Sequence, residues 1–222
     1  MTSTLALFDL DHTLLSGDSD VLWCEWLMTQ GLLERATFEP RNAAMEAGYK
    51  AGTVSVAEIC GFYVGTRAGR TLEQWHPMRQ RFLVEEIAPR IPPAARDQVR
   101  HHQDAGHTVV LTTATNRVIT ELTAQHLDIE HLIATECEVG ADGCFTGRVA
   151  GTPNMREGKV AGLQAWLTER GTCLEALDSI AYSDSMNDAP LLSAARRAVA
   201  VDPDPRLAAL ARDRGWKVLR WR

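Results

Sequence analysis

Three short apolar segments of this chain, residues 5–8, 108–111 and 179–182, each run directly into acids or hydroxyls. No other feature constrains the fold as much. A four-residue apolar run followed by a turn suits a strand buried on both faces of a parallel sheet. In an open α/β sheet, ligands bind beyond the carboxyl ends of the strands. The residues that follow each run are therefore the first candidates for chemistry. Asp9, Asp11 and Thr13 follow the first run, and Thr112, Thr113, Thr115 and Asn116 follow the second. Ser183, Asp184, Ser185, Asn187 and Asp188 follow the third.

The remaining pattern supports that sheet. From Ser19 to about Ala88 no strand is expected, and three or four helical stretches are punctuated by Gly31, Gly52 and residues 65–69. Pro89, Pro92 and Pro93 mark a boundary. Beyond it, strands and helices alternate: helix 94–105, strand 108–111, helix 117–126 and strand 132–134. Asp142-Gly143 signals a hairpin between segments 136–139 and 144–149. Helix 158–170, strand 179–182, helix 190–195, strand 198–201, helix 206–214 and strand 216–219 complete the chain. The expected fold class is α/β, a three-layer Rossmann-like parallel sheet with an inserted α-helical domain. Residues 1–16 and 90–222 form the core, and residues 17–89 form the insertion.

Composition removes several function classes. A net charge of −6 without a Lys/Arg cluster argues against nucleic acid. No segment approaches the roughly 20 apolar residues that span a membrane, and residues 5–8 are too short for a signal peptide. Five scattered cysteines without a CxxC pair point to a reducing cytoplasm. Cys24, Cys60 and Cys173 are read as buried small apolar residues.

Four carboxylates converging from separate strand ends need a cation. Like charges about 4 Å apart repel by roughly 4 kcal/mol at an effective dielectric near 20, and they raise one another's pKa unless compensated. Hard oxygen donors of this kind suit Mg²⁺. One carboxylate beside the cation can then attack a phosphate as nucleophile. A second, two residues on, is placed to protonate the leaving group and later deprotonate water. Lys159 and the Thr113 hydroxyl are candidates to stabilise charge on the transferring phosphoryl.

At these residues the sequence resembles the haloacid-dehalogenase-like hydrolase superfamily, in its phosphoserine-phosphatase-like branch with a helical cap. The matching pieces are Asp9-Leu10-Asp11-His12-Thr13-Leu14, Leu111-Thr112-Thr113-Ala114-Thr115-Asn116, Gly158-Lys159 and Ser183-Asp184-Ser185-Met186-Asn187-Asp188. The resemblance implies an Mg²⁺-dependent phosphohydrolase acting on a small phosphorylated metabolite, with no protein partner indicated. It assigns Asp9 as the residue phosphorylated and Asp11 as acid/base, with Asp11 also lending its main-chain carbonyl to the metal. Asp184 is implied as a further metal ligand, Lys159 as the balance of charge, and Asn187 and Asp188 as the rest of the metal and phosphate shell. Either Thr112 or Thr113 is the phosphate-binding hydroxyl, with Thr113 preferred because Thr112 is still in the strand's register. Ser183 departs from the glycine usual before the metal aspartate.

The insertion falls where this branch places its cap. Asp18 stands where related enzymes hold a substrate ammonium, although an ordinary helix N-cap is the competing reading. No convincing counterpart exists for the arginine that binds phosphoserine's carboxylate; Arg41, Arg67 and Arg70 are merely nearby in sequence. An amino-alcohol phosphate such as histidinol phosphate fits better than phosphoserine. Eight of the fourteen aromatic residues fall in the insertion, where they serve mainly as core. His12 is a candidate substrate contact, and His101 and His102 are expected on a solvated helix face. A phosphotransferase using phosphorylated Asp9, or a phosphate-sensing module without turnover, are the alternatives; a phosphorelay receiver lacks the insertion and the second acid.

Overall fold

The computed structural model describes residues 4–222, apart from the side chain of Lys50. Its strands are β1 (Thr4–Phe8), β2 (Thr108–Asn116), β3 (His131–Val139), β4 (Phe145–Ala150), β5 (Asp178–Ser183), β6 (Arg197–Val201) and β7 (Lys217–Leu219). They form one sheet in the order β4-β3-β2-β1-β5-β6-β7, parallel except for β4. The helices after the sheet begins to alternate are α5 (Pro93–Asp104), α6 (Arg117–His126), α7 (Glu157–Thr168), α8 (Ala189–Ala194) and α9 (Pro205–Arg214). Four more helices lie between β1 and β2: α1 (Ser19–Thr29), α2 (Arg35–Ala51), α3 (Val56–Gly65) and α4 (Leu72–Phe82).

The period-two alternation of the central strands builds three layers. Ala6, Phe8, Val109, Leu111, Ile180 and Tyr182 face one side, against Ala95 and Val99 of α5 and Val118 and Ile119 of α6. Leu5, Leu7, Val110 and Ala181 face the other, against Leu163 and Leu167 of α7 and Leu191 and Leu192 of α8. Both faces are dry, which is why the middle of each of these strands is apolar.

Register places the site. Phe8 is paired with Leu111 on one side and Tyr182 on the other. Asp9, Thr112 and Ser183 therefore stand side by side across the sheet, at the roughly 4.8 Å spacing of neighbouring strands.

The inserted helices divide into two pairs. On α1 and α4, Trp23, Trp26, Trp75 and Phe82 pack together and join the core on the Phe8 side of the sheet. Trp23 and Phe82 meet edge to face at 5.0 Å. On α3, Ile59, Cys60 and Tyr63 pack with Val21, Cys24 and Met155 in a separate cluster, with Met45 and Tyr49 of α2 against it. Capping boxes at Ser55–Glu58 and Thr71–Gln74 start α3 and α4. Beyond α3 the chain docks on β4 by main-chain bonds, Gly69 N to Phe145 O and Phe145 N to Arg70 O, each 2.9 Å.

Some expectations need correction. His101 is exposed but His102 is buried, with Nε2 2.8 Å from the Tyr182 hydroxyl and Nδ1 2.8 Å from His107 Nδ1. Consecutive helical residues point about 100° apart, so only the second faces the sheet. Cys173 is exposed, because it sits at the entry to a short turn rather than on a packed element. Segments 132–134 and 136–139 are one continuous strand, β3, and β2 runs on to Asn116. Alternate threonines there satisfy neighbouring groups, so polarity does not end the strand. Among the described residues, no helix is long and apolar enough to cross a membrane.

Candidate active site

Two of the four strand-end carboxylates, Asp9 and Asp188, meet on Lys159. This lysine lies in the first turn of α7, and its Nζ is 2.6 Å from Asp9 Oδ1 and 2.6 Å from Asp188 Oδ2. The chain approaches closely here: a Cβ at Gly158 would stand 2.1 Å from the Pro153 carbonyl oxygen. The Ser183 hydroxyl also donates to Asp188 Oδ2, at 2.8 Å. So serine at this position supports the acid cluster directly.

Thr13 ties the first strand to the fifth. Its hydroxyl is 2.8 Å from Asp9 Oδ2 and 3.1 Å from Asp184 Oδ1, and it accepts from the Asp184 amide at 3.0 Å. A hydroxyl has one proton, so it serves one of the two carboxylates at a time. Burial pushes the Asp9 carboxyl up to about 7; Lys159 opposes that rise, while Asp188 and Asp11 add to it. Asp184 is raised well above the carboxylate range by burial and by Asp9 and Asp188. Burial works against the Lys159 charge, but Asp188 and Asp9 outweigh it and hold the ammonium firmly protonated.

One ammonium therefore faces more carboxylates than it can neutralise. Among the described residues, no three His, Cys, Asp or Glu side chains form a chelating cluster. The donor set on offer is instead two carboxylates, Asp9 and Asp184, linked through Thr13. That set suits Mg²⁺, which is bound by one or two carboxylates and keeps several waters. The excess negative charge and the raised acids fit a divalent cation here.

Asp11 is held from two sides. The Ser19 amide at the start of α1 donates to its Oδ1 at 2.7 Å, and the Thr115 hydroxyl donates to Oδ2 at 2.7 Å. Thr113 is further away, 3.5 Å from the same oxygen, and its hydroxyl also accepts from the Thr115 amide at 3.1 Å. Thr112 faces elsewhere and accepts from Asn154 Nδ2 at 3.1 Å. Asn187 accepts from Arg156 Nε at 3.2 Å, and Arg156 has a left-handed backbone, φ 55°.

Asp9, Asp11, His12, Asp18, Lys159, Asp184, Asn187 and Asp188 all line one chamber, with Thr115 but not Thr113. Its opposite wall comes from the inserted helices: Asp20, Tyr49, Ile59, Cys60 and Tyr63. The space is about 80 Å³ to a water-sized sphere, or roughly five to eight waters at 10–15 Å³ each. It opens past His12, Asp18 and Tyr49 into a vestibule of about 1170 Å³.

Asp18 takes both of its expected places. Its Oδ1 caps α1 by accepting from the Asp20 and Val21 amides at 3.0 Å, and the residue also lines the chamber. Its carboxyl is raised well above the usual range by burial, Asp11 and Asp20. The three nearby arginines stay out of the chamber. Arg67 is buried and paired with Asp20 at 3.1 Å. Arg41 lies over the Phe38 and Phe62 rings, and Arg70 over Trp75.

Sequence reasoning placed Thr115 among the strand-end candidates without a role, and missed Asp20, Tyr49 and Tyr63 as chamber residues. Thr115 stood in a recognisable motif and was readable. The others carried no signal, because their positions depend on how the inserted helices fold back. Cys60 lines the chamber, but burial pushes its thiol up to about 12, leaving it no thiolate character.

A model of the haloacid dehalogenase-like hydrolase family matches residues 6–193. The chain is 36% identical over 219 residues to the histidinol-phosphatase of Neisseria meningitidis, covering 98% of this chain and 99% of that one. It is 33% identical over 221 residues to phosphoserine phosphatase SerB1 of Mycobacterium tuberculosis, covering 96% and 69% respectively. A solved structure of a protein of unknown function from Bordetella pertussis superposes with a TM-score of 0.93 at 39% identity, over 99% of both chains. Fold, site and likeness together define a hydrolase of the phosphatase kind. The chain belongs to the haloacid dehalogenase-like hydrolase family.

Proposed function

We propose that this enzyme hydrolyses small phosphate monoesters through a phosphorylated Asp9, and that its substrate is an amino-alcohol phosphate of the histidinol phosphate kind. The observation that carries the chemistry is Lys159 bridging Asp9 and Asp188 at 2.6 Å each, inside a buried, otherwise acidic chamber. Residues 17–89 act as the cap, since α2 and α3 supply the wall opposite Asp9.

In the first step an Asp9 carboxylate oxygen bonds to phosphorus, and the bond from phosphorus to the ester oxygen breaks. Asp11 gives its proton to the departing alkoxide. In the second step Asp11 takes a proton from water, whose oxygen attacks phosphorus and releases Asp9 and inorganic phosphate. Lys159 holds Asp9 in position and offsets charge on the phosphoryl oxygens. Asn187 serves the phosphoryl shell, Thr113 supports it from behind by accepting from the Thr115 amide, and Asp188 orients Lys159. Asp9, Asp184 and the Asp11 carbonyl are the residues that would hold Mg²⁺, which supplies the positive charge that draws phosphate into an acidic site.

The substrate reading rests on the chamber wall. Asp18 offers a carboxylate to an ammonium or imidazolium, and His12 lies beside it. Arg67, Arg41 and Arg70 are committed to Asp20 or to aromatic rings, so none is available to pair a substrate carboxylate. That disfavours phosphoserine. The five cysteines are free thiols, which supports a reducing cytoplasm.

The test is a panel of phosphate esters with Mg²⁺, ranked by kcat/KM. Histidinol phosphate should exceed phosphoserine by at least tenfold. Equal or greater turnover of phosphoserine would refute the substrate assignment while leaving the phosphatase chemistry standing.

A further inference from the structure

Tyr63 has a buried hydroxyl that no described residue hydrogen-bonds. The residue is 3% exposed, and its hydroxyl has no hydrogen-bond partner among the described residues. The residue nevertheless lines the chamber, on the side supplied by the inserted helices, and takes part in the same inner cluster as Ile59, Cys60 and Met155. Asp18, Asp20, Cys24 and Glu46 lie near enough to act on its phenol electrostatically, but none is within hydrogen-bond distance of it. The Tyr63 ring packs edge to face on Phe62 at 5.1 Å, and only its main-chain carbonyl is bonded, to the Thr66 hydroxyl and to Arg67.

A hydroxyl left unpaired in a dry site costs free energy, and proteins rarely keep one without use. Phenylalanine would fill the same volume at no such cost. Asp18 adds a carboxylate to this chamber, with its Oδ1 accepting from the α1 amides. The chamber thus offers a carboxylate and a phenol, and the one Lys or Arg among its lining residues, Lys159, is already paired with Asp9 and Asp188.

We infer that the Tyr63 hydroxyl is a specificity-determining contact, hydrogen-bonding a nitrogen of the substrate's leaving group while Asp18 takes its positive charge. This rests on the phosphatase reading above and adds a recognition role to it. A leaving group with two separate nitrogen functions, an amine and an imidazole, satisfies both partners. A simple alcohol satisfies neither. A phenol can either accept from N–H or donate to an imidazole nitrogen, so it suits a nitrogen heterocycle better than a second carboxylate would.

Tyr63→Phe tests this with two substrates, histidinol phosphate and p-nitrophenyl phosphate. The readout is the ratio of their kcat/KM values, which cancels any general loss of active protein. The ratio should fall about tenfold, mainly through KM for histidinol phosphate. A fall of less than fivefold overturns the inference, because a merely structural hydroxyl would depress both substrates alike. The thermal midpoint of the variant should equal or exceed that of the wild type, since no protein bond is lost. A lower midpoint, or failure to fold, also overturns it, by showing that the hydroxyl has a structural partner. If wild-type enzyme turns over neither ester, the phosphatase reading itself fails, a result distinct from any change in the ratio.

Discussion

Arg67 Nη2 lies 3.1 Å from Asp20 Oδ1, joining two side chains 47 residues apart beneath the inserted helices. Asn116 Nδ2 reaches the same Asp20 oxygen at 3.1 Å, so the pair also holds the end of β2. Burial lifts the Asp20 carboxyl to about 6 even with Arg67 opposing it. Arg67 is thus consumed by structure, and this leaves the chamber acidic.

Removing one partner leaves the other charge buried and unpaired, which typically costs about 3–5 kcal/mol. Arg67→Met should lower stability by that amount in urea unfolding. Adding Asp20→Asn should recover part of the loss. Additive losses would show that the two side chains do not interact.

Asp18 serves as both helix cap and chamber wall, and one substitution separates these roles. Asparagine caps helices as well as aspartate does, but it lacks the charge. Asp18→Asn should leave the thermal midpoint within a few degrees and raise KM for histidinol phosphate about tenfold or more, the size of a lost charged hydrogen bond. A KM unchanged within twofold would reduce Asp18 to a cap.

His102 sets a pH dependence of stability. Burial first, then His107 and His101, pull its pKa from 6.5 to about 4. The unfolded chain therefore takes up this proton near pH 6.5 and the native protein only near 4. Between those values the unfolded state holds more protons, so stability falls as pH falls; above 6.5 both states are neutral and the effect vanishes. The thermal midpoint of wild type should drop more steeply from pH 6.5 to 4 than that of His102→Gln. Parallel curves would contradict the burial of this imidazole.

Gly147 is where the insertion rests on the hairpin. Its φ is +82°, and a Cβ there would stand 3.0 Å from Ala68 Cβ and 3.4 Å from Gly65 Cα. Gly147→Val adds about 1–2 kcal/mol of backbone cost and forces the two surfaces apart. Limited proteolysis should then cleave within residues 17–89 sooner than in wild type. Unchanged cleavage would mean that this contact does not anchor the helices.

The sheet and its acids were legible because both depend on local pattern. Residues 5–8 are uniformly apolar and residues 180–182 nearly so, and acids follow both within two residues, so strand, direction and site follow from a few residues. Long-range pairing left no such trace. Nothing near Asp20 signals Arg67, and adjacency in sequence could not reveal that His101 and His102 part ways on α5. The length of β2 was hidden for a related reason. Its threonines read as a turn, but Thr112 and Thr113 are fully buried, with hydroxyls serving Asn154 on one side and the acid cluster on the other.

The most direct measurement is acid quench of the enzyme during turnover, followed by peptide mass mapping. One phosphoryl group should appear on the peptide that contains Asp9, and Asp9→Asn should abolish both the label and turnover. A label on another residue, no label under conditions that trap acyl phosphates, or turnover that persists in Asp9→Asn would contradict the account.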